Sequence, residues 1–264
     1  MISFILYLVF GAIVGIFAGL LGVGGGTVLV PILDFTLDMA NIATSVAHHM
    51  ALATSMASII FTSVSSARSH NKRGTVLWNI VKIMTPGIIA GTFLGSFVVS
   101  EIPTRPLKLI FAGFLFYVAA QMIMDFKPKA SRQLPGKTGM FIASLIIGVI
   151  SSFIGIGGGS LIIPFLVMCN VPMINVIGVS AALGFPIALA GTIGFIVNGI
   201  GVPDLPPWSL GFVYLPALAG LVIASMLTAP IGVRLSHSLP VKTLKRFFGC
   251  VLGAIAIKMM FSAL

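Results

Sequence analysis

From Thr138 to Pro203 the chain runs for 66 residues without a Lys, Arg, Asp or Glu. A spanning helix needs about 20 predominantly apolar residues, so this stretch alone crosses or enters a bilayer several times. Four more charge-free runs, Ile2–Leu33, Met39–Ala67, Ile83–Ser100 and Leu205–Val233, carry the pattern over the rest of the chain. Charged residues are 8% of the total, against about 25% in ordinary soluble domains. Backbone polar groups in lipid must be satisfied within a segment or a closed barrel, and runs this long suit helices. The sequence therefore predicts an all-α polytopic membrane protein.

The net charge of +10 does not point to nucleic acid. The basic residues sit in short loops between apolar runs, as the positive-inside rule describes, and no basic helix or RNA-binding motif accompanies them. The N-terminus lacks the basic region and small-residue cleavage site of a signal peptide. Cys169 and Cys250 both lie in apolar segments and read as packing residues.

The chain repeats itself. Gly15-Ile-Phe-Ala-Gly-Leu-Leu-Gly22-Val-Gly24-Gly25-Gly26-Thr27, closing at Pro31, recurs 133 residues later as Gly148-Val-Ile-Ser-Ser-Phe-Ile-Gly155-Ile-Gly157-Gly158-Gly159-Ser160, closing at Pro164. Trp78 and Pro86 match Trp208 and Pro216 at an offset of 130, and Leu107-Lys108 matches Leu244-Lys245 at 137. An ordered set of matches with drifting offsets is what duplication followed by small loop insertions produces. The halves are 1–125 and 138–264, joined by a basic linker, 126–137.

Helices are expected at about 3–22, 27–37, 43–67, 76–99 and 106–124, and at 139–154, 160–169, 174–197, 208–232 and 242–262. The pieces after the glycine clusters are too short to span and read as re-entrant half-helices. Loop 68–73 is strongly basic, whereas its partner, 198–207, holds only Asp204; around 100–106 and 234–246 the bias is reversed. A bias that swaps sides is expected of inverted repeats. The alternative is eight plain spans with parallel repeats, which would leave the basic 234–246 loop on the wrong side.

Each cluster ends one helix and begins another. Glycine admits unusual dihedrals and close backbone approach, and Thr27 and Ser160 are good N-cap residues. A new helix start presents free N–H groups and partial positive charge, which attract anions. Irregular backbone is tolerated at membrane depth only where protein buries it or a wet cavity receives it, and paired breaks point to a midplane substrate site. Gly24, Gly25, Gly26 and Thr27, with Gly157, Gly158, Gly159 and Ser160, are the candidate anion-binding residues. Gly11, Gly15 and Gly19, four apart, read as an ordinary packing surface, and alanine at Gly11 is expected to be mild.

These boxes, with Ala53-Thr54-Ser55 matched by Gly178-Val-Ser180 and the Asn71-Lys-Arg-Gly74 loop before Trp78, resemble the sulfite exporter TauE/SafE family, also called the 4-toluene sulfonate uptake permeases. The resemblance covers essentially the whole chain. It implies transport of sulfur-containing anions such as sulfite, sulfoacetate and other organosulfonates across the bacterial inner membrane, mostly outward. The partners expected are a small anion and the bilayer.

Further candidates follow from position. Thr54, Ser55 and Ser180 place hydroxyls mid-helix after the breaks, where they face either a cavity or a neighbouring backbone. Lys82 and Gln121 lie in apolar surroundings and are candidate substrate contacts; Lys258 lies near a helix end, where it can snorkel. His48 and His49 are adjacent, about 100° apart on a helix, and make a poor chelate. No metal or cofactor is expected, and no catalytic set of nucleophile, base and acid is present. An anion channel, or a carrier of a non-sulfur organic anion, is the alternative reading. All five carboxylates, Asp34, Asp38, Glu101, Asp125 and Asp204, read as lying in or beside loops. Proton coupling through a carboxylate is therefore not expected, and an inside-negative potential alone favours anion exit by about 2.3 kcal/mol per charge per 100 mV.

Overall fold

The computed structural model describes residues 2–21, 26–124, 133–238 and 241–263. In order they form α1 (Ile2–Leu21), α2 (Gly26–Met39), α3 (Thr44–Lys72), α4 (Trp78–Glu101), α5 (Thr104–Ile123), α6 (Lys137–Ile154), α7 (Gly159–Met168), α8 (Met173–Gly199), the two-residue strands β1 (Ser209–Leu210) and β2 (Val213–Tyr214), α9 (Leu215–Ser238) and α10 (Val241–Ala263). Gly24 and Gly25 lie outside the described residues, as does most of the expected linker.

Among the described residues, five helices, α3, α4, α5, α6 and α8, are long and apolar enough to cross a membrane. At 1.5 Å per residue, α2 with 14 residues and α7 with 10 reach only about 21 and 15 Å, short of a hydrocarbon core about 30 Å thick. They are half-helices, as their length in sequence predicts.

Helix directions follow from which residues touch. Gly191 of α8 lies against Met56 of α3, Gly184 against Ser63, and Gly178 against Thr75 just beyond α3, so α3 and α8 run antiparallel. Gly249 of α10 lies against Met122 and Ile123 of α5, and Gly253 against Ala119; these two also run antiparallel. By contrast, α1 and α9 are parallel, since Gly220 meets Tyr7, Gly11 meets Leu221 and Ala224, and Gly15 meets Ser225 and Thr228. The α4–α6 pair is parallel too, with Gly87, Gly91 and Gly95 against Ser144, Leu145 and Ser152 in turn. Small residues every fourth position let backbones approach closely where apolar lipid leaves little hydrophobic drive between helices.

Two expectations change here. A methyl group at Gly11 would stand 2.9 Å from the Cα of Leu221 and 3.0 Å from its carbonyl oxygen. The obstacle is backbone rather than a yielding side chain, so alanine at Gly11 is not mild. The helix expected from 208 begins instead at Leu215. Before it, β1 and β2 pair antiparallel, Ser209 with Tyr214 and Leu210 with Val213. The turn is made by Gly211 at φ 55°, so close to the Ile196 backbone that a side chain would collide with it. The hairpin buries Phe212 and Val213, and Phe212 stacks on His49 with centroids 5.3 Å apart.

Candidate functional site

The helix that follows the first glycine cluster starts against the second break. Gly26, at the start of α2, lies against Gly155 and Ile156: a methyl group on it would stand 3.1 Å from the Gly155 carbonyl oxygen and 3.1 Å from Ile156 Cα. Ile59 of α3 touches both, because methyl groups on Gly26 and Gly157 would come within 3.1 and 2.9 Å of its side chain. The Ser55 hydroxyl donates to the Gly155 carbonyl at 2.9 Å. Ser55 and Ile59 lie near the middle of the 29-residue α3, which puts the meeting point at mid-depth of the longest helix.

The second break is described throughout. Gly155 closes α6 in the left-handed region, φ 65° and ψ 32°. Gly158 opens α7 at φ 76° and ψ −6°; glycine holds both conformations without steric cost. The Leu161 and Ile162 amides return to the Gly158 carbonyl at 3.0 and 2.8 Å. The amides of Gly159 and Ser160 fall in the first turn, where a helix supplies no acceptor of its own. Those of Gly157 and Gly158 donate to no backbone carbonyl among the described loops and turns. A cluster of free N–H groups at a helix start is an anion-binding arrangement.

The other candidates divide. Thr27, Ser160 and Ser180 are buried. Thr54 accepts the Tyr214 amide at 3.0 Å, so Thr54 holds the hairpin and Ser55 holds the break. Lys82 is exposed on α4 and Gln121 half-buried towards the end of α5; neither lines a described cleft. Among the described residues, neither cleft is lined by Gly26 or by residues 155–159, against which Ile59 and Leu52 pack.

One pair escapes the sequence. Asp34, read as a loop carboxylate, is buried on α2 and bonded to Nδ1 of the fully buried His48 on α3 at 2.6 Å. The short apolar piece simply continues past it to Met39. A spacing of four from Asp38 is compatible with one helix face, whereas Pro31 inside the helix argues against its continuation. Asp34 borders a cleft of about 290 Å³ lined also by Phe35, Asp38, Lys108, Lys258 and neighbouring apolar residues. The expectation that Asp34 lies in or beside a loop is overturned: it is buried within α2.

The family model described as Sulfite exporter TauE/SafE matches residues 7–259, which hold both breaks and the Asp34–His48 pair. The chain belongs to the sulfite exporter TauE/SafE family. A Haemophilus influenzae relative is 36% identical over 98% of this chain and 99% of its own length. A Methanocaldococcus jannaschii relative is 28% identical over 97% and 94%, and one from Bacillus subtilis 28% over 88% and 90%. Each is named a "Probable membrane transporter protein". No solved structure matches. This TauE/SafE family member is a multi-pass membrane transporter.

Proposed function

We propose that this TauE/SafE transporter carries small sulfur-containing anions, such as sulfite, sulfoacetate and other organosulfonates, across the bacterial inner membrane. The anion sits at mid-depth where the two glycine breaks meet. The observation that carries this reading is the contact of Gly26 with Gly155 and Ile156 beside amides at the start of α7 that no described carbonyl accepts. The family description, which names sulfite, supports the substrate class.

The halves are inverted repeats in this reading. A twofold axis in the membrane plane reverses equivalent helices, and α3/α8 and α5/α10 are antiparallel; it also exchanges the parallel pairs α1/α9 and α6/α4. Rocking of one half against the other withdraws Ile59 and opens the amides to one face at a time.

Two measurements test this. Thr75, after α3, receives a hydrogen bond from Asn175 at the start of α8, so the end of α3 and the end of α8 point to opposite faces. Single cysteines at the exposed Ser69 and Asp204, in a background without Cys169 and Cys250, should label with an impermeant maleimide from opposite sides. Labelling from one side would rule out inversion. For the substrate, thermal unfolding is measured with sulfite, thiosulfate, several sulfonates and matched carboxylates. Ligand at about 100 times its Kd stabilises by about 2.7 kcal/mol, so sulfur oxyanions should raise Tm. A shift with carboxylates alone, or with no anion, contradicts the proposal.

A further inference from the structure

The cleft between α2, α5 and α10 holds chemistry that anion binding at the glycine breaks leaves unused. Asp34 Oδ2 and His48 Nδ1 bond to each other, yet Asp34 Oδ1 and His48 Nε2 are buried with no hydrogen-bond partner among the described residues. A buried polar atom left unpaired is costly, and an ionisable pair buried among apolar helices is a functional hypothesis by default. Phe111 packs edge-on against His48. The surroundings are charged but balanced: Asp34 and Asp38 face the cleft from α2, Lys108 from α5 and Lys258 from α10, with the Lys258 ammonium 4.7 Å above the Phe35 ring. His49, the neighbour on α3, turns away to the carbonyls of Val99 and Ile102 at 3.1 Å each. The one titratable side chain on α1, Tyr7, packs edge-on against Tyr214.

We propose that the Asp34–His48 pair is a proton-binding site and that one proton travels with each anion. This rests on the transport reading above. With the imidazole neutral, two carboxylates and two lysines leave the cleft without net charge. One proton taken up by the pair gives imidazolium beside carboxylate and adds one positive charge, which favours an anion entering the protein.

The pair also has mechanical leverage. It ties the C-terminal half of α2 to the first turns of α3, and the same two helices bring Gly26 and Ser55 to the breaks. At the duplicated offset of 133, Asp34 corresponds to Val167, so the site belongs to one half only and one proton per cycle follows. For a monovalent anion the combined step moves no net charge.

The test uses proteoliposomes and a labelled sulfonate selected by the unfolding screen; a sulfonate has no group titrating near neutral pH, so only protein protons count. In the wild type with the potential clamped at zero, an acid-outside gradient of one pH unit should accumulate the sulfonate about tenfold. Changing the clamp should leave that ratio unmoved. Asp34→Asn carries the charge of the protonated pair permanently. It should still exchange labelled for unlabelled sulfonate, ignore the pH gradient, and respond to the potential. If the asparagine variant does not fold, Asp34→Leu with His48→Leu removes the proton site while filling it, a replacement that buried pairs often tolerate, and should behave the same way. Accumulation driven by the pH gradient in either variant, or a wild type that exchanges yet ignores the gradient, overturns the coupling. No exchange by the wild type removes the transport reading itself and the coupling with it.

Discussion

Gly91→Val should unfold the protein or lower its Tm by many degrees, and Gly91→Ala should destabilise it by about 1–3 kcal/mol, the usual cost of overpacking. Gly91 packs on α6 with its Cα against the Leu145 main chain, where even a methyl group would overlap the carbonyl oxygen and crowd the Cα at 3.0 Å. That carbonyl belongs to the helical ladder and cannot rotate away. The helices must part, and the separation is shared by Gly87 and Gly95, which meet Ser144 and Ser152 on the same seam. Gly113 on α5 is the control, because a Cβ there meets nothing within 4 Å. Gly113→Ala should leave Tm unchanged or raise it, since alanine is the better helix former. Equal losses at Gly91 and Gly113 would mean that the seam has slack the described packing lacks.

The second large effect is on transport. Gly158→Val should reduce flux at least a hundredfold while leaving folded protein, a loss of about 2.7 kcal/mol in binding or passage. A side chain here meets the far ends of Ile187 and Ile162, which can shift, so the fold survives. The cost falls on the backbone. At φ 76° an L-residue pays about 1–2 kcal/mol, and a β-branched one more. Relief comes only by rotating the peptide that aims the Gly158 and Gly159 amides. A valine variant with full flux would return the cluster to a packing role.

The class of the protein and the position of both breaks are legible in the residues because they rest on local properties: run length, charge, glycine and proline. The second break is anticipated closely, with α7 at Gly159–Met168 against an expected 160–169. The contacts of α3 with α8 place the C-terminal ends of the two helices at opposite ends of the pair.

What escapes depends on contacts between distant segments. Asp34 ends a charge-free run, so hydropathy alone treats it as a boundary; only the partner 14 residues later, on another helix, shows why it can be buried. The hairpin at 209–214 escapes because Trp208 and Pro216 match the start of α4, drawing the expected helix back over residues that instead fold against Thr54 and His49. Spacing misjudges Gly11 because it reveals a packing face but not whether backbone or side chain stands opposite.

Counterflow measures the central claim, an anion site at the meeting of the breaks, most directly. Liposomes containing the protein and loaded with unlabelled sulfonate are diluted into a trace of the labelled compound, and internal label is followed. The wild type should show a saturable overshoot that sulfite competes away and a matched carboxylate does not, and Gly158→Val should show none. An overshoot undiminished in the valine variant, or linear entry without saturation, would contradict it.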